Sequence, residues 1–254
     1  MGGWVCAAYG VACYAVFVGT LLYAVGFVGD LFIPKSLDSG PTGPVAEALV
    51  VDALLLAVFA VQHSVMARRS FKRWWTRIVP SAVERSTYVL ASSLLLLLLF
   101  WQWRPMTGVV WRVDATAAVL AIRIVFWLGW AVALVSTFLL DHFELFGLRQ
   151  VLARLTNRTL PAPEFRTPLF YRHVRHPLYV GFLLAFWAAP TMTVGHLVFA
   201  IATTGYIAVG IRLEERDLVR DLGDRYRRYR ERVGMLVPRV KSRAVVGDRG
   251  AGPL

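Results

Sequence analysis

The sequence predicts an all-α, polytopic membrane bundle: five to six transmembrane segments, a C-terminal helical hairpin and a cytoplasmic amphipathic tail helix. Three observations carry this. Hydrophobic residues make up 57 % of the 254 and charged residues 17 %, against roughly 45–50 % and about 25 % in globular chains. The mean hydropathy is +0.56. Apolar blocks like the uninterrupted run 94–100 recur along the chain. This composition excludes a disordered chain, a collagen-like fibre and a disulfide scaffold.

A hydrocarbon core about 30 Å thick asks for roughly 20 apolar residues of helix. Segments 5–33, 45–66, 87–103 and 117–140 meet that length; Pro34 stops the first, and Trp101 and Trp103 end the third at an interface. Cys6 and Cys13 share one face of the first helix and read as small apolar residues rather than a redox or metal pair. Segment 178–189 is short for a span, Pro190 breaks it, and 194–211 follows, so the two read as a hairpin that returns the chain to the side it left. Residues 214–233 alternate charges, with Leu218, Leu222, Tyr226 and Tyr229 at helical spacing, which predicts an amphipathic surface helix. The chain thus divides into a four-helix transmembrane region, 1–140; a cytoplasmic connector, 141–176; a hairpin with surface helix, 177–240; and a disordered tail, 241–254.

The net charge of +12 is unevenly placed. Arg68, Arg69, Lys72, Arg73, Arg77 and Arg85 crowd the loop 67–85, and 141–176 and the tail after 211 are also arginine-rich. The loop 34–44 holds a single lysine and 104–116 two arginines. All basic segments fall on one side if both termini are cytoplasmic. The basic excess then faces anionic lipid headgroups, and no nucleic-acid partner is expected. The first residues carry no basic stretch, so no cleavable signal is expected.

Polar residues at the ends of spans ask for a reason. Three clusters occur on the basic side: Gln62-His63-Ser64 with Glu84, Arg85 and Tyr88; Asp141-His142-Phe143-Glu144; and 171–179 with Arg212, Glu214 and Glu215. A hairpin puts its two ends side by side, so Arg175 and His176 approach Glu214 and Glu215. A pocket of Arg and His donors, paired carboxylates and an aromatic ring suits a zwitterionic ligand. The plainer alternative is arginine and histidine reaching to headgroups while glutamates pair with arginines.

Arg175-His176-Pro177-Leu178-Tyr179-Val180-Gly181, an apolar hairpin and then Glu214-Glu215 resemble the RHPxYxG…EE signature of the isoprenylcysteine carboxyl methyltransferase superfamily. The resemblance implies S-adenosylmethionine held by His173, Arg175, His176, Pro177, Tyr179, Gly181, Arg212, Glu214 and Glu215, with the methyl acceptor arriving from the membrane side. Upstream, Tyr23–Gly29, Pro34–Gly40, Val61–Arg68, Phe71–Thr76, Val83–Val89 and His142–Gln150 resemble one bacterial branch, the membrane methanethiol S-methyltransferases. That branch implies an inner-membrane enzyme forming dimethyl sulfide from methanethiol, a small thiol.

Such a transfer needs a thiolate, and a free thiol of pKa about 8.5 is mostly protonated at neutral pH. His63 and Glu84 are the expected proton-handling pair, with Tyr88, Arg85 and His142 as neighbours. Against this stand a histidine simply bonded to a backbone carbonyl and a surface Glu84–Arg85 pair. No metal is expected: the five histidines show neither HxxxH nor HExxH spacing. Neither a Walker loop nor GxGxxG appears, which excludes a Rossmann-type domain. A prenylcysteine carboxylate or a phospholipid remains as an alternative acceptor, and a non-catalytic membrane sensor or transport component as an alternative class.

Overall fold

The computed structural model describes residues 2–161 and 165–239. The expected disordered tail, 241–254, lies outside the described residues. Among the described residues, five helices are long and apolar enough to cross a membrane: α1 (Gly3–Gly29), α2 (Val45–Ala67), α4 (Ser81–Gln102), α5 (Thr116–Leu140) and α9 (Val194–Leu222). The chain is an integral membrane protein. Shorter helices α3 (Arg69–Trp75), α6 (His142–Leu145), α7 (Leu148–Leu155), α8 (Pro177–Trp187) and α10 (Asp224–Arg232), with a 3-10 turn at Leu169–Arg172, fill the connections.

The bounds depart from the sequence expectation where local chemistry intervenes. Helix α1 ends at Gly29, before Pro34, because Asp30 takes a left-handed conformation at φ 52 and its N–H closes on Gly26. Helix α4 begins at Ser81, directly after Pro80, so Glu84 and Arg85 lie inside its first turns. The expected amphipathic tail helix, 214–233, forms in two parts: α9 runs unbroken to Leu222, since nothing between Ile211 and Leu222 interrupts a helix. Gly223 at φ 56 makes the break, and α10 follows. Cys6 and Cys13 are buried free thiols.

Loops 30–44, 103–115 and 188–193 meet at one end of the bundle. Trp103 Nε1 donates to the Leu37 carbonyl at 3.2 Å, and the Arg104 N–H to Asp52 Oδ1 at 2.9 Å. A two-stranded antiparallel sheet pairs β1 (Val109–Arg112) with β2 (Thr191–Thr193). The hairpin tip therefore reaches the end opposite Arg175. The 11 residues of α8 rise about 16 Å, and the extended stretch 188–193 adds up to about 20 Å. Together they cover the depth of a hydrocarbon core that α8 alone does not.

Helix α8 is fixed laterally by backbone contact with α5. A Cβ on Gly129 would lie 2.6 Å from Ala185 N, and one on Gly181 2.5 Å from Ala133 N. Small residues four apart on both helices, Gly129/Ala133 and Gly181/Ala185, let the backbones touch, as packing between helices in lipid requires. Phe27, Leu37, Leu99, Trp103, Phe126, Trp130 and Phe199 form the main core beside this contact.

Candidate active site

The chain enters α8 through Val174, which forms a parallel bridge with Gly234. The Arg175 and His176 N–H groups donate to the carbonyls of Gly234 and Met235 at 2.9 and 3.2 Å. Residues past α10 thus fold back alongside the entrance to α8, and Tyr229 Oη donates to the Tyr171 carbonyl at 2.6 Å. Burial beneath Phe165 pushes the Tyr229 hydroxyl up to about 12, so it stays protonated and donating at physiological pH.

On this frame the two ends of the hairpin meet. Arg175 Nη1 also donates to the Val233 carbonyl at 2.5 Å and the Arg230 carbonyl at 3.2 Å. Glu215 accepts from Arg175 Nε at 2.6 Å, is 3.1 Å from His176 Nε2, and pairs with Arg230 Nε at 3.2 Å. Its charge is fully matched inside the protein. Glu214 differs: Oε2 accepts the Tyr179 hydroxyl at 3.1 Å, His176 Nδ1 is 3.7 Å away, and 46 % of the side chain is accessible. Among the described residues no side chain caps the start of α8, whose first position is Pro177, which leaves positively polarised N–H groups there.

A second polar group lies one helix layer away. Ser92 Oγ donates to Gln62 Oε1 at 3.3 Å, and Gln62 Nε2 donates to Met66 Sδ at 3.0 Å, which orients the amide. With its proton so directed, Ser92 accepts from His63 Nδ1 at 3.2 Å. His63 Nε2 is then the bare nitrogen, 2.9 Å from Tyr88 Oη, which donates to it; the same oxygen is 3.1 Å from Nδ1. Phe59 stacks on the imidazole with centroids 5.3 Å apart, and Arg85 sits 5.9 Å over the Tyr88 ring. Tyr206 joins from α9, its hydroxyl 3.2 Å from Ser64 Oγ and its ring edge-on to His63. Helix α9 carries both Tyr206, beside His63, and Glu214, which holds the Tyr179 hydroxyl, and so links the His63 group to Glu214.

Of the residues singled out from sequence, Arg175, His176, Tyr179, Glu214 and Glu215 come together, and Pro177 starts α8, the helix that carries Tyr179. His63, Tyr88 and Arg85 form the adjoining group. Glu84 does not join His63; it interacts with Lys72, whose ammonium is held below its usual range by burial and by Arg85 while Glu84 opposes the shift. Among the described residues Glu84 and Arg85 form no ion pair within 4 Å. Gly181 lies in the α5–α8 contact, and His173 and Arg212 are exposed. His142 is placed apart, bonded to Tyr14 Oη and Thr137 Oγ1 at 2.7 Å each and stacked on Phe138. Sequence reasoning missed Arg230, which depends on the fold-back at Gly234, and Tyr206. A signal existed for the latter: Tyr206 precedes Glu214 by eight residues, two turns up the same helix face.

Comparison with known proteins adds a second line. No family model matches the chain, and no solved structure matches it. It is 55 % identical over 230 residues to methanethiol S-methyltransferase 1 of Bradyrhizobium diazoefficiens, spanning 91 % of this chain and 81 % of that one. The methanethiol S-methyltransferase of Mycobacterium tuberculosis is also 55 % identical over 230 residues, with 91 % and 94 % covered. More distantly, nurim of Danio rerio is 31 % identical over 183 residues, with 69 % and 66 % covered. The aligned length takes in helices of both polar groups, and on that likeness the chain belongs to the methanethiol S-methyltransferase family.

Proposed function

We propose that this protein methylates methanethiol to dimethyl sulfide with S-adenosylmethionine as donor. It does so in the inner membrane, with the basic end of the bundle and both termini in the cytoplasm. The observation that carries the reading is the junction of two unlike polar groups. One is a carboxylate-bearing cradle with an uncapped helix start; the other is an imidazole–phenol pair among aromatic walls. The positions of Lys and Arg support the orientation.

The residues present fit the donor. Glu214 offers a partly free carboxylate for an ammonium or ribose hydroxyls, and the uncapped start of α8, with the exposed Arg212 nearby in α9, suits a carboxylate. Arg175 gives its Nε to Glu215 and its Nη1 to two carbonyls, which makes it chiefly a support of the cradle. The donor supplies an electrophilic methyl group on a sulfonium.

The chain's own part is to make and shelter the nucleophile. Tyr88 Oη takes the thiol proton as its own proton passes to His63 Nε2, and Ser92 and Gln62 hold the imidazole in the receiving tautomer. The sulfur lone pair then forms the new carbon–sulfur bond, while the pair of the broken bond leaves with the donor sulfur, which becomes a neutral thioether. Phe59, Tyr206 and Tyr179 keep water from the thiolate, which sharpens its attraction to a cation.

The test is headspace gas chromatography on purified protein in lipid nanodiscs supplied with S-adenosylmethionine and methanethiol. Dimethyl sulfide is expected from the wild type and less than a tenth as much from Glu214→Gln. Wild-type protein that binds S-adenosylmethionine yet forms no dimethyl sulfide overturns the reading and directs attention to lipid or prenyl acceptors.

A further inference from the structure

We infer that the methyl acceptor is received in a small subsite bounded by Tyr206, Gly210 and Tyr179, a site for an uncharged one-carbon thiol whose size is set by Gly210. The inference rests on the methyl-transfer function proposed above and says where that reaction's acceptor sits. Residues 206, 210 and 214 follow at four-residue spacing in α9, so they lie along one face. The upper member, Tyr206, is bonded to Ser64 and lies edge-on to Phe59 and His63, with ring centroids 6.2 and 6.4 Å away. The lower member, Glu214, holds the Tyr179 hydroxyl at 3.1 Å. Between them Gly210 contributes no side chain.

That gap is not required for packing. A Cβ on Gly210 would meet a single atom within 4 Å, Tyr179 Oη at 4.0 Å. At Gly129 and Gly181, by contrast, a Cβ would strike backbone atoms at 2.5–2.7 Å. A glycine inside a helix is destabilising relative to alanine, and here no close approach of another element calls for it. The space beside Gly210 borders the Tyr179 hydroxyl, one turn of α9 from Tyr206 and one turn from Glu214. The aromatic faces of Tyr179 and Tyr206 suit a polarizable sulfur. The α9 positions that face this space, 206, 210 and 214, are Tyr, Gly and Glu and offer no cation to a carboxylate or phosphate acceptor.

The discriminating variant is Gly210→Ala, assayed as the full chain in nanodiscs with methanethiol and ethanethiol in parallel, together with the KM for S-adenosylmethionine. One added methyl on the wall should act like one added methyl on the substrate, a change commonly worth 10- to 200-fold in such pockets. For methanethiol, kcat/KM is expected to fall at least tenfold. Ethanethiol should fall further, so that the methanethiol-to-ethanethiol ratio rises, with the donor KM within twofold of wild type. An unmoved ratio, whether activity is retained or both thiols fall together, overturns the subsite. Wild-type protein that forms no thioether overturns the subsite and the proposed function together, whereas wild-type turnover with an unmoved ratio overturns the subsite alone.

Discussion

Arg175 Nε lies 2.6 Å from Glu215 Oε1, and the two side chains are only 7 % and 9 % exposed. The neighbouring Glu214 keeps 46 % of its side chain accessible and has a single hydroxyl donor. Two adjacent carboxylates therefore have different work. Glu215 ties α9 to the entrance of α8 and, through Arg230, to α10; Glu214 faces the space where a ligand can reach it.

Breaking a buried pair from one side leaves an uncompensated charge and costs about 3–5 kcal/mol. Arg175→Met should therefore lower the thermal midpoint sharply, followed by tryptophan fluorescence in detergent, and abolish S-adenosylmethionine binding with it. Glu214→Gln should leave the midpoint close to wild type while weakening donor binding at least tenfold in calorimetric titration. Equal midpoints for wild type and Arg175→Met would make the arginine a ligand group instead of a staple.

The His63–Tyr88 pair predicts a pH signature. If the phenol relays the thiol proton, Tyr88→Phe removes general-base help worth about 10²- to 10⁴-fold. The variant must wait for thiol that has ionised in solution. Its residual rate should climb about tenfold per pH unit below the thiol pKa, while wild type changes far less over the same range. Parallel pH–rate profiles for the two proteins would remove Tyr88 from the proton path.

Gly181 predicts a packing phenotype with a downstream effect. A side chain there would run into Ala133 N and Gly129 O, and overpacking costs about 1–3 kcal/mol even where side chains can yield. Gly181→Val should lower the thermal midpoint and lose donor binding, because the displaced helix carries Tyr179 and follows directly on His176. Gly129→Val should do the same from α5, far along the chain from any signature residue. A Gly181→Val protein of normal stability with weakened donor binding would restore the glycine to the ligand site.

The spans were legible because hydropathy over twenty residues leaves few alternatives, and the meeting of Arg175 and His176 with Glu215 followed from hairpin topology alone. What lay beyond reach depended on contacts far apart in sequence. Arg230 enters only because the chain past Val233 folds back on Val174. The glycine of the signature read as a ligand residue, although only the position of α5 reveals that it is a contact between backbones. Glu84 follows His63 in the sequence pattern, yet α4 begins early enough to turn it toward Lys72. Tyr206 was hidden in an apolar run where a lone tyrosine looks like core.

His142 supplies the last prediction, on stability rather than catalysis. It lies just beyond α5, 4 % exposed, between Tyr14 and Thr137 and among Phe138, Phe143 and Phe146. None of these partners carries charge, so burial alone lowers its pKa below 6.5. The neutral imidazole is favoured in the fold, and the unfolded chain binds the proton more readily. Its contribution is thus fully present above about pH 6.5 and is lost as the pH falls through the lower folded value. The wild-type thermal midpoint should drop as the pH falls from 7 to 5, and His142→Asn should show a flatter curve from a lower starting point. Turnover of methanethiol at pH 7.5, below the variant's unfolding temperature, should stay within a few-fold of wild type. A large loss of activity with stability intact would bring His142 back into the reaction.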